Sequence, residues 1–197
     1  TMADYHPGLE GVIATESSIS DINGEKGILS YRGYSIEELA EKSTFEETAF
    51  LLLTGELPTP DELTKFTKQI NARRDLPSGM IDLLKTLPKE SNPMDVIQLA
   101  VSSLGTFYPV TFDAEDLKAK KYTKDYYIEV SAGILGSIGS IVAAWNRIKN
   151  NKDYIKPDSN LSYADNFMHM LDDSIEVTPL ISRIIDATLI LHAEHTI

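Results

Sequence analysis

Cysteine is absent from this 197-residue chain, which excludes disulfide frameworks and thiol catalysis and fits a reducing compartment. Positive charge is in short supply: 18 basic residues stand against 30 acidic ones, for a formal net charge of −12. Such a surface repels phosphate backbones and anionic membranes, so neither nucleic acid nor a membrane is an expected partner. The arginines (Arg32, Arg73, Arg74, Arg147 and Arg183) are scattered along the chain and form no dense anion site in sequence. No apolar run is long enough to span a bilayer: the stretch from Gly133 to Trp145 is too short and carries Ser137 and Ser140. From Thr1 to Gly11 there are acidic and turn-forming residues where a secretion signal would place basic and then apolar ones. A cytoplasmic protein is the expectation.

With 42% hydrophobic residues the chain can bury a sizeable core. The first organised unit is expected to be a β-hairpin, with Asn23-Gly24 as a type I′ turn between Ile19–Ile22 and Gly27–Tyr31, and no other strand pair is evident. Helical punctuation follows. Ser35 with Glu38 and Thr44 with Glu47 are capping boxes that predict helices over about 36–42 and 45–54. Gly55 ends the second as a left-handed cap, and Thr59-Pro60 starts a helix running to about Arg74. Prolines 77, 88 and 93 bracket helices near 78–86 and 93–105. Asp113–Asp116 and Thr123 are further starts, the second opening a long helix to about Lys149. A polar connection from Asn150 to Asn160 precedes a helix from Ser162 to Leu171, and the last helix, begun at Thr178-Pro179, is still periodic at Ile197. The fold class read from this pattern is all-α with a small N-terminal β-hairpin.

Gly133, Gly136 and Gly139 are spaced three apart, but no strand and turn precede them, so a dinucleotide-binding loop is excluded by context. With Ser137, Ser140, Ala143 and Ala144 they make a flat ridge on which another helix can pack closely. Each helical glycine costs roughly 1 kcal/mol relative to alanine, and close packing is the return expected for it. His192 and His195 lie three apart on the last helix and would share an inward side with Ile181, Ile185 and Thr188. They could donate hydrogen bonds to a substrate carbonyl or carboxylate at the bottom of a pocket. Spacing alone favours two buried histidines satisfied by protein partners. Metal binding is weaker still, since Glu194 points elsewhere and no third ligand is near. His6 and His169 suggest structure, and the pairs Glu37-Glu38, Glu46-Glu47 and Asp172-Asp173 suit helix ends and solvent. No nucleophilic triad can be assembled.

Six stretches in order resemble the citrate synthase family: Gly8–Val12 through Thr15, Tyr31-Arg32-Gly33-Tyr34 continuing to Leu39, and Leu51–Pro58 with its Thr54-Gly55-Glu56 centre. Then come Pro93-Met94-Asp95-Val96, Leu161–Phe167, and Leu189–His195 ending on the HxxH pair. The resemblance runs over nearly the whole chain. It implies a nearly all-helical homodimer, with no cofactor, that condenses acetyl-CoA with oxaloacetate and hydrolyses the citryl thioester. It also implies that His195 hydrogen-bonds oxaloacetate, while His192 is supporting structure. The family's proton-abstracting aspartate, its enol-stabilising histidine and its carboxylate-binding arginines match nothing here, so no catalytic residue is assigned and the chain alone is expected to be inactive.

The expected division is residues 1–34 as an N-terminal segment with the hairpin and 35–197 as an incomplete helical large domain, the small domain lying outside this chain. The subunit contact is expected through helices near 93–105 and 125–148, with the small-residue ridge against a symmetry mate. A 2-methylcitrate synthase is the alternative within the family, and a non-catalytic helical assembly module using the ridge is the alternative outside it.

Overall fold

The computed structural model describes residues 16–108 and 123–194, together with Pro7 and Val12; the expected helix start at Asp113 and the residue His195 lie outside the described residues. Three short strands, β1 (Ser20–Asn23), β2 (Ile28–Tyr31) and β3 (Tyr34–Ser35), form an antiparallel sheet in chain order. The sheet corrects two expectations. Asn23 pairs with Ile28, so the first connection is four residues long rather than a tight turn at Asn23-Gly24. Asn23 Oδ1 instead accepts a hydrogen bond from the Lys26 N–H at 3.0 Å, and only Gly27 takes a positive φ. The two successive left-handed residues of a tight hairpin occur at the second turn, where Arg32 has φ 50° and Gly33 φ 89° between the paired Tyr31 and Tyr34. That turn creates β3, which alternation had not revealed because the strand is only two residues long.

Eight helices follow among the described residues. In α1 (Ile36–Lys42), Ser35 accepts from the Glu38 N–H, and in α2 (Phe45–Thr54) Thr44 and Glu47 close a capping box before Gly55 ends the helix at φ 96°. Thr59 and Glu62 repeat the box in α3 (Pro60–Asn71), which stops three residues before the expected Arg74 so that Arg73 and Arg74 belong to a turn. Next are α4 (Ser78–Thr86), α5 (Pro93–Phe107), the 26-residue α6 (Lys124–Lys149), α7 (Tyr163–Leu171) and α8 (Pro179–Leu191), the last four capped by Asn92, Thr123, Ser162 and Thr178. The continuous helix to Ile197 is not what forms: α8 ends at Leu191, and His192 is its C-cap.

One core cluster gathers Tyr31, Leu39, Phe45, Leu51, Phe66, Ile70, Tyr163 and Ile190. A second gathers Leu76, Met80, Leu84, Val96, Ala100, Leu104, Ile141, Trp145 and Ile148. The long helix α6 serves both, through Ala132 at one end and Ile141 to Ile148 at the other. By length and composition α6 could cross a membrane, although the shorter run within it could not. Its ridge is occupied inside the chain. A Cβ on Gly136 would lie 2.2 Å from the Ile70 carbonyl oxygen of α3, and Ser137 Oγ donates to the Arg73 carbonyl at 3.2 Å. Helix–helix packing within the chain is therefore the use of these small residues, Gly136 and Ser137 against α3 and the turn after it, and Gly139 and Ser140 against Tyr163 and Met170 of α7. On α5, Val96, Ala100 and Leu104 are likewise core.

The turn after α3 carries a buried charge to the start of α7. Arg74, 3% exposed, sits 4.0 Å from the Glu46 carboxylate and donates to the Leu161 carbonyl at 3.1 Å. Glu46 accepts the N–H of Tyr163 at 2.9 Å, so its charge faces the positive end of α7. The Tyr163 hydroxyl donates to the Leu135 carbonyl at 2.8 Å, and burial pushes its pKa up to about 12. Solvation does not describe Glu46: it is buried, and only its neighbour Glu47 serves as a cap.

Two of the three ridge glycines, Gly133 and Gly136, separate packing from propensity. Alanine at Gly133 would meet only Arg73 Cγ, at an ordinary 3.6 Å, whereas alanine at Gly136 would meet backbone. In urea unfolding, Gly136→Ala should lose about 1–3 kcal/mol or more by overpacking, while Gly133→Ala should be neutral or gain up to about 1 kcal/mol from helix propensity. Equal effects at the two positions would contradict the assigned contact.

Candidate functional site

The candidate site is the end of α8, where the sequence places its histidine pair. The first half of that helix is fixed to the corner between α1 and α2. Asp186 Oδ1 accepts the N–H of Phe45, the first residue of α2, at 2.9 Å. Arg183 donates to Asp186 Oδ2 and to the Ser43 carbonyl, each at 3.0 Å, and also to the Ala40 carbonyl. These bonds satisfy backbone groups that two closely spaced helix ends leave unpaired.

The other end is fixed to the sheet. Tyr31 is fully buried, and its hydroxyl donates to the Glu194 carbonyl at 3.0 Å, with the Leu191 carbonyl at 3.4 Å. Its ring belongs to the core cluster that includes Ile190, against which Leu189 and Ala193 pack. Arg32, the next residue, donates to Ser18 Oγ at 2.8 Å and to the Leu52 carbonyl at 2.9 Å, which ties the strand end to α2.

His192 does not share an inward face with Ile181, Ile185 and Thr188. The helical spacing that would align it with His195 ends one residue earlier, and its side chain is exposed. Both its backbone N–H and its Nδ1 meet the Thr188 carbonyl, at 3.2 and 2.7 Å. A carbonyl only accepts, so Nδ1 carries the proton in this contact and Nε2 is the acceptor in the neutral ring. His195 lies outside the described residues, one peptide bond beyond the carbonyl that Tyr31 holds. His169 is half-buried on α7 and lines a cleft of about 680 Å³ with Asp165, Asp172 and Asp173. Its acidic rim disfavours a carboxylate ligand. Among the described residues, no three His, Asp or Glu side chains come together as a metal site.

The arginines go to separate structural tasks. Arg73 stacks over the Tyr108 ring at 3.9 Å, Arg74 faces Glu46, and Arg147 donates to Asp173 at 3.0 Å. Tyr31, Arg183 and Asp186 were not legible as site residues from their spacing. Tyr31 stands in the quoted Tyr31-Arg32-Gly33-Tyr34 motif, but its acceptors are 160 and 163 residues away in sequence.

Residues 8–197 match the family described as citrate synthase, C-terminal domain. The chain is 42% identical over 195 residues to the citrate synthase of Acidithiobacillus ferridurans, covering 98% of this chain and 49% of that protein. It is 36% identical to 2-methylcitrate synthase 2 of Corynebacterium glutamicum, covering 100% of this chain and 50% of that protein. Among solved structures, citrate synthase from Pyrobaculum aerophilum aligns with a TM-score of 0.84 at 36% identity, over 96% of this chain and 47% of that one. The chain thus spans about half the length of these relatives.

Burial pushes the Asp186 carboxyl above its ordinary range, against the Phe45 N–H and Arg183, which favour its charged form. A carboxyl raised on folding stabilises fully below its unfolded value near ~4, and that contribution is lost as pH rises through the folded value. Asp186→Asn keeps an acceptor for Phe45 and does not titrate. From about pH 4 to about pH 7 the unfolding free energy of the wild type should therefore fall relative to Asp186→Asn. A difference that stays constant with pH in urea unfolding would contradict the assignment.

Proposed function

We propose, since this chain belongs to the citrate synthase family, that it forms the amino-terminal part of an acyltransferase that condenses acetyl-CoA with oxaloacetate and hydrolyses citryl-CoA. The observation that carries this reading is the similarity to a citrate synthase along 98% of the chain. The share of the reaction assigned to these residues is oxaloacetate binding by His195, on the segment that leaves α8. A donor on the oxaloacetate carbonyl draws electron density from the carbon that is attacked, and so contributes more in the transition state than in the ground state. The methyl group of acetyl-CoA is a weak acid, and its base and the groups that stabilise the enolate belong to the other half of the enzyme. Residues 35–197 are then the helical part of the large domain, and residues 1–34 the segment leading into it.

A cytoplasmic homodimer without a cofactor completes the proposal. The helices α5 and α6 remain the proposed subunit contact, through residues left exposed by the packing within the chain. Met94 and Leu99 on α5 and Tyr127, Val130 and Ile134 on α6 are exposed apolar residues. On α8, Leu180, Ile184 and Leu191 are exposed as well, a surface suited to cover by the remainder of the enzyme. The similarity to a 2-methylcitrate synthase supports a second reading, in which propionyl-CoA replaces acetyl-CoA. One methylene is worth only about 1–3 kcal/mol of discrimination, so turnover with both thioesters decides between them.

In the full-length protein, oxaloacetate-dependent release of CoA is expected. His195→Ala should raise the oxaloacetate KM by roughly tenfold or more, the loss of a hydrogen bond to a charged ligand. Unchanged kinetics in a folded His195→Ala variant would remove His195 from the site. The chain of 197 residues alone should release no CoA above the buffer blank, and turnover by it would contradict the assignment of the base to the other half.

A further inference from the structure

The hydroxyl of Tyr31 contributes something that its ring does not. The ring fills the core beside Ile190, and a phenylalanine would fill the same space. The O–H has a separate task at the end of α8. The last carbonyls of a helix lack intrahelical donors, and in the turn beyond Leu191 the His192 and Ala193 N–H groups bond to Thr188 and Ile190, each at 3.2 Å. The Tyr31 O–H supplies a further donor, to Glu194 at 3.0 Å and more weakly to Leu191 at 3.4 Å. Burial pushes the phenol pKa up, so the proton stays in place at neutral pH.

The donor itself is held from several directions. Tyr31 pairs with Ser20 on one side and Tyr34 on the other. Arg32 follows in a left-handed turn, its N–H bonded to the Ile19 carbonyl at 2.8 Å and its guanidinium to Leu52 of α2. The donor held by these bonds acts on Glu194, the residue that precedes His195 in the chain.

We infer that Tyr31 is a positioning residue for oxaloacetate binding: through the carbonyls of Glu194 and Leu191, its hydroxyl sets the place from which His195 reaches the substrate. This rests on the reading of His195 given above. The role belongs to the O–H alone, so it separates from the packing of the ring.

The test uses the full-length protein and the variants Tyr31→Phe and His195→Ala. Tyr31→Phe should raise the oxaloacetate KM by roughly three- to tenfold, the equivalent of one lost hydrogen bond, and leave the acetyl-CoA KM near wild type. An oxaloacetate KM that responds to His195→Ala and not to Tyr31→Phe overturns this inference and leaves the reading of His195 standing. A response to neither variant, or a full-length protein without oxaloacetate-dependent CoA release, overturns both. Hydrogen exchange of the folded protein provides a readout independent of yield. In Tyr31→Phe, the peptide covering residues 189–197 should exchange faster while β1 and α6 keep wild-type protection. A uniform rise across the fold would mark a packing role only and overturn the inference.

Discussion

The close approach of α6 to the end of α3 at Gly136 is the contact on which the other placements depend. A single Cβ there would stand 2.2 Å from the Ile70 carbonyl, so the backbone of α3 is seated where only glycine allows it. With Ser137 bonded to the Arg73 carbonyl, the turn after α3 is fixed and Arg74 is directed inward. Arg74 and Glu46 then join that turn to α2 and to the first residue of α7. From α2 the connection runs through the Phe45 N–H to Asp186 on α8, and the far end of α8 closes on Tyr31. The candidate site is thus reached from the ridge through a short series of contacts, each between elements distant in sequence.

The buried charges in this series are better understood as fixing geometry than as adding stability. Removing two ions from water is costly, and a pair separated by 4.0 Å recovers only part of that cost. What Glu46 and Arg74 do is satisfy particular backbone groups, the Tyr163 N–H and the Leu161 carbonyl, that would otherwise be buried without partners. An apolar pair could fill the same volume but could not select that register of α7. Burial pushes the Glu46 carboxyl upward even with Arg74 opposite it.

The parts of the fold that were legible in the sequence are those whose causes are local. The capping box at Thr44-Glu47 acts across three residues and formed where it was read, while at Ser35 only the bond from the Glu38 N–H formed and Thr59, legible as an N-cap before Pro60, closes a box with Glu62 as well. Their helix starts could be placed for the same reason. The end of α8 was not legible, because no glycine, asparagine or proline marks it; His192 and a tyrosine from a distant strand terminate it instead. The ridge announced a close helix contact but carried no information about its partner, since a side-chain-free surface is compatible with α3 and with a second copy alike. Glu46 and Glu47 are neighbours of the same type with opposite fates, the first buried against Arg74 and the Tyr163 N–H and the second capping α2 at Thr44. At the candidate site, the histidine spacing drew attention to the end of α8, while the groups that hold this helix, Tyr31 of β2 and the backbone of Ala40, Ser43 and Phe45, come from elements whose proximity is a property of the whole fold.

Under the proposed function, the turn that Tyr31 anchors is where one histidine meets the keto acid, and the acid–base chemistry of the thioester falls to the other half of the enzyme. The most direct measurement is a crystal structure of the full-length protein with oxaloacetate bound. A His195 ring nitrogen is expected within about 2.6–3.2 Å of an oxaloacetate oxygen, with the Tyr31 hydroxyl still on the Glu194 carbonyl. Oxaloacetate bound in a pocket that His195 does not enter would contradict this expectation.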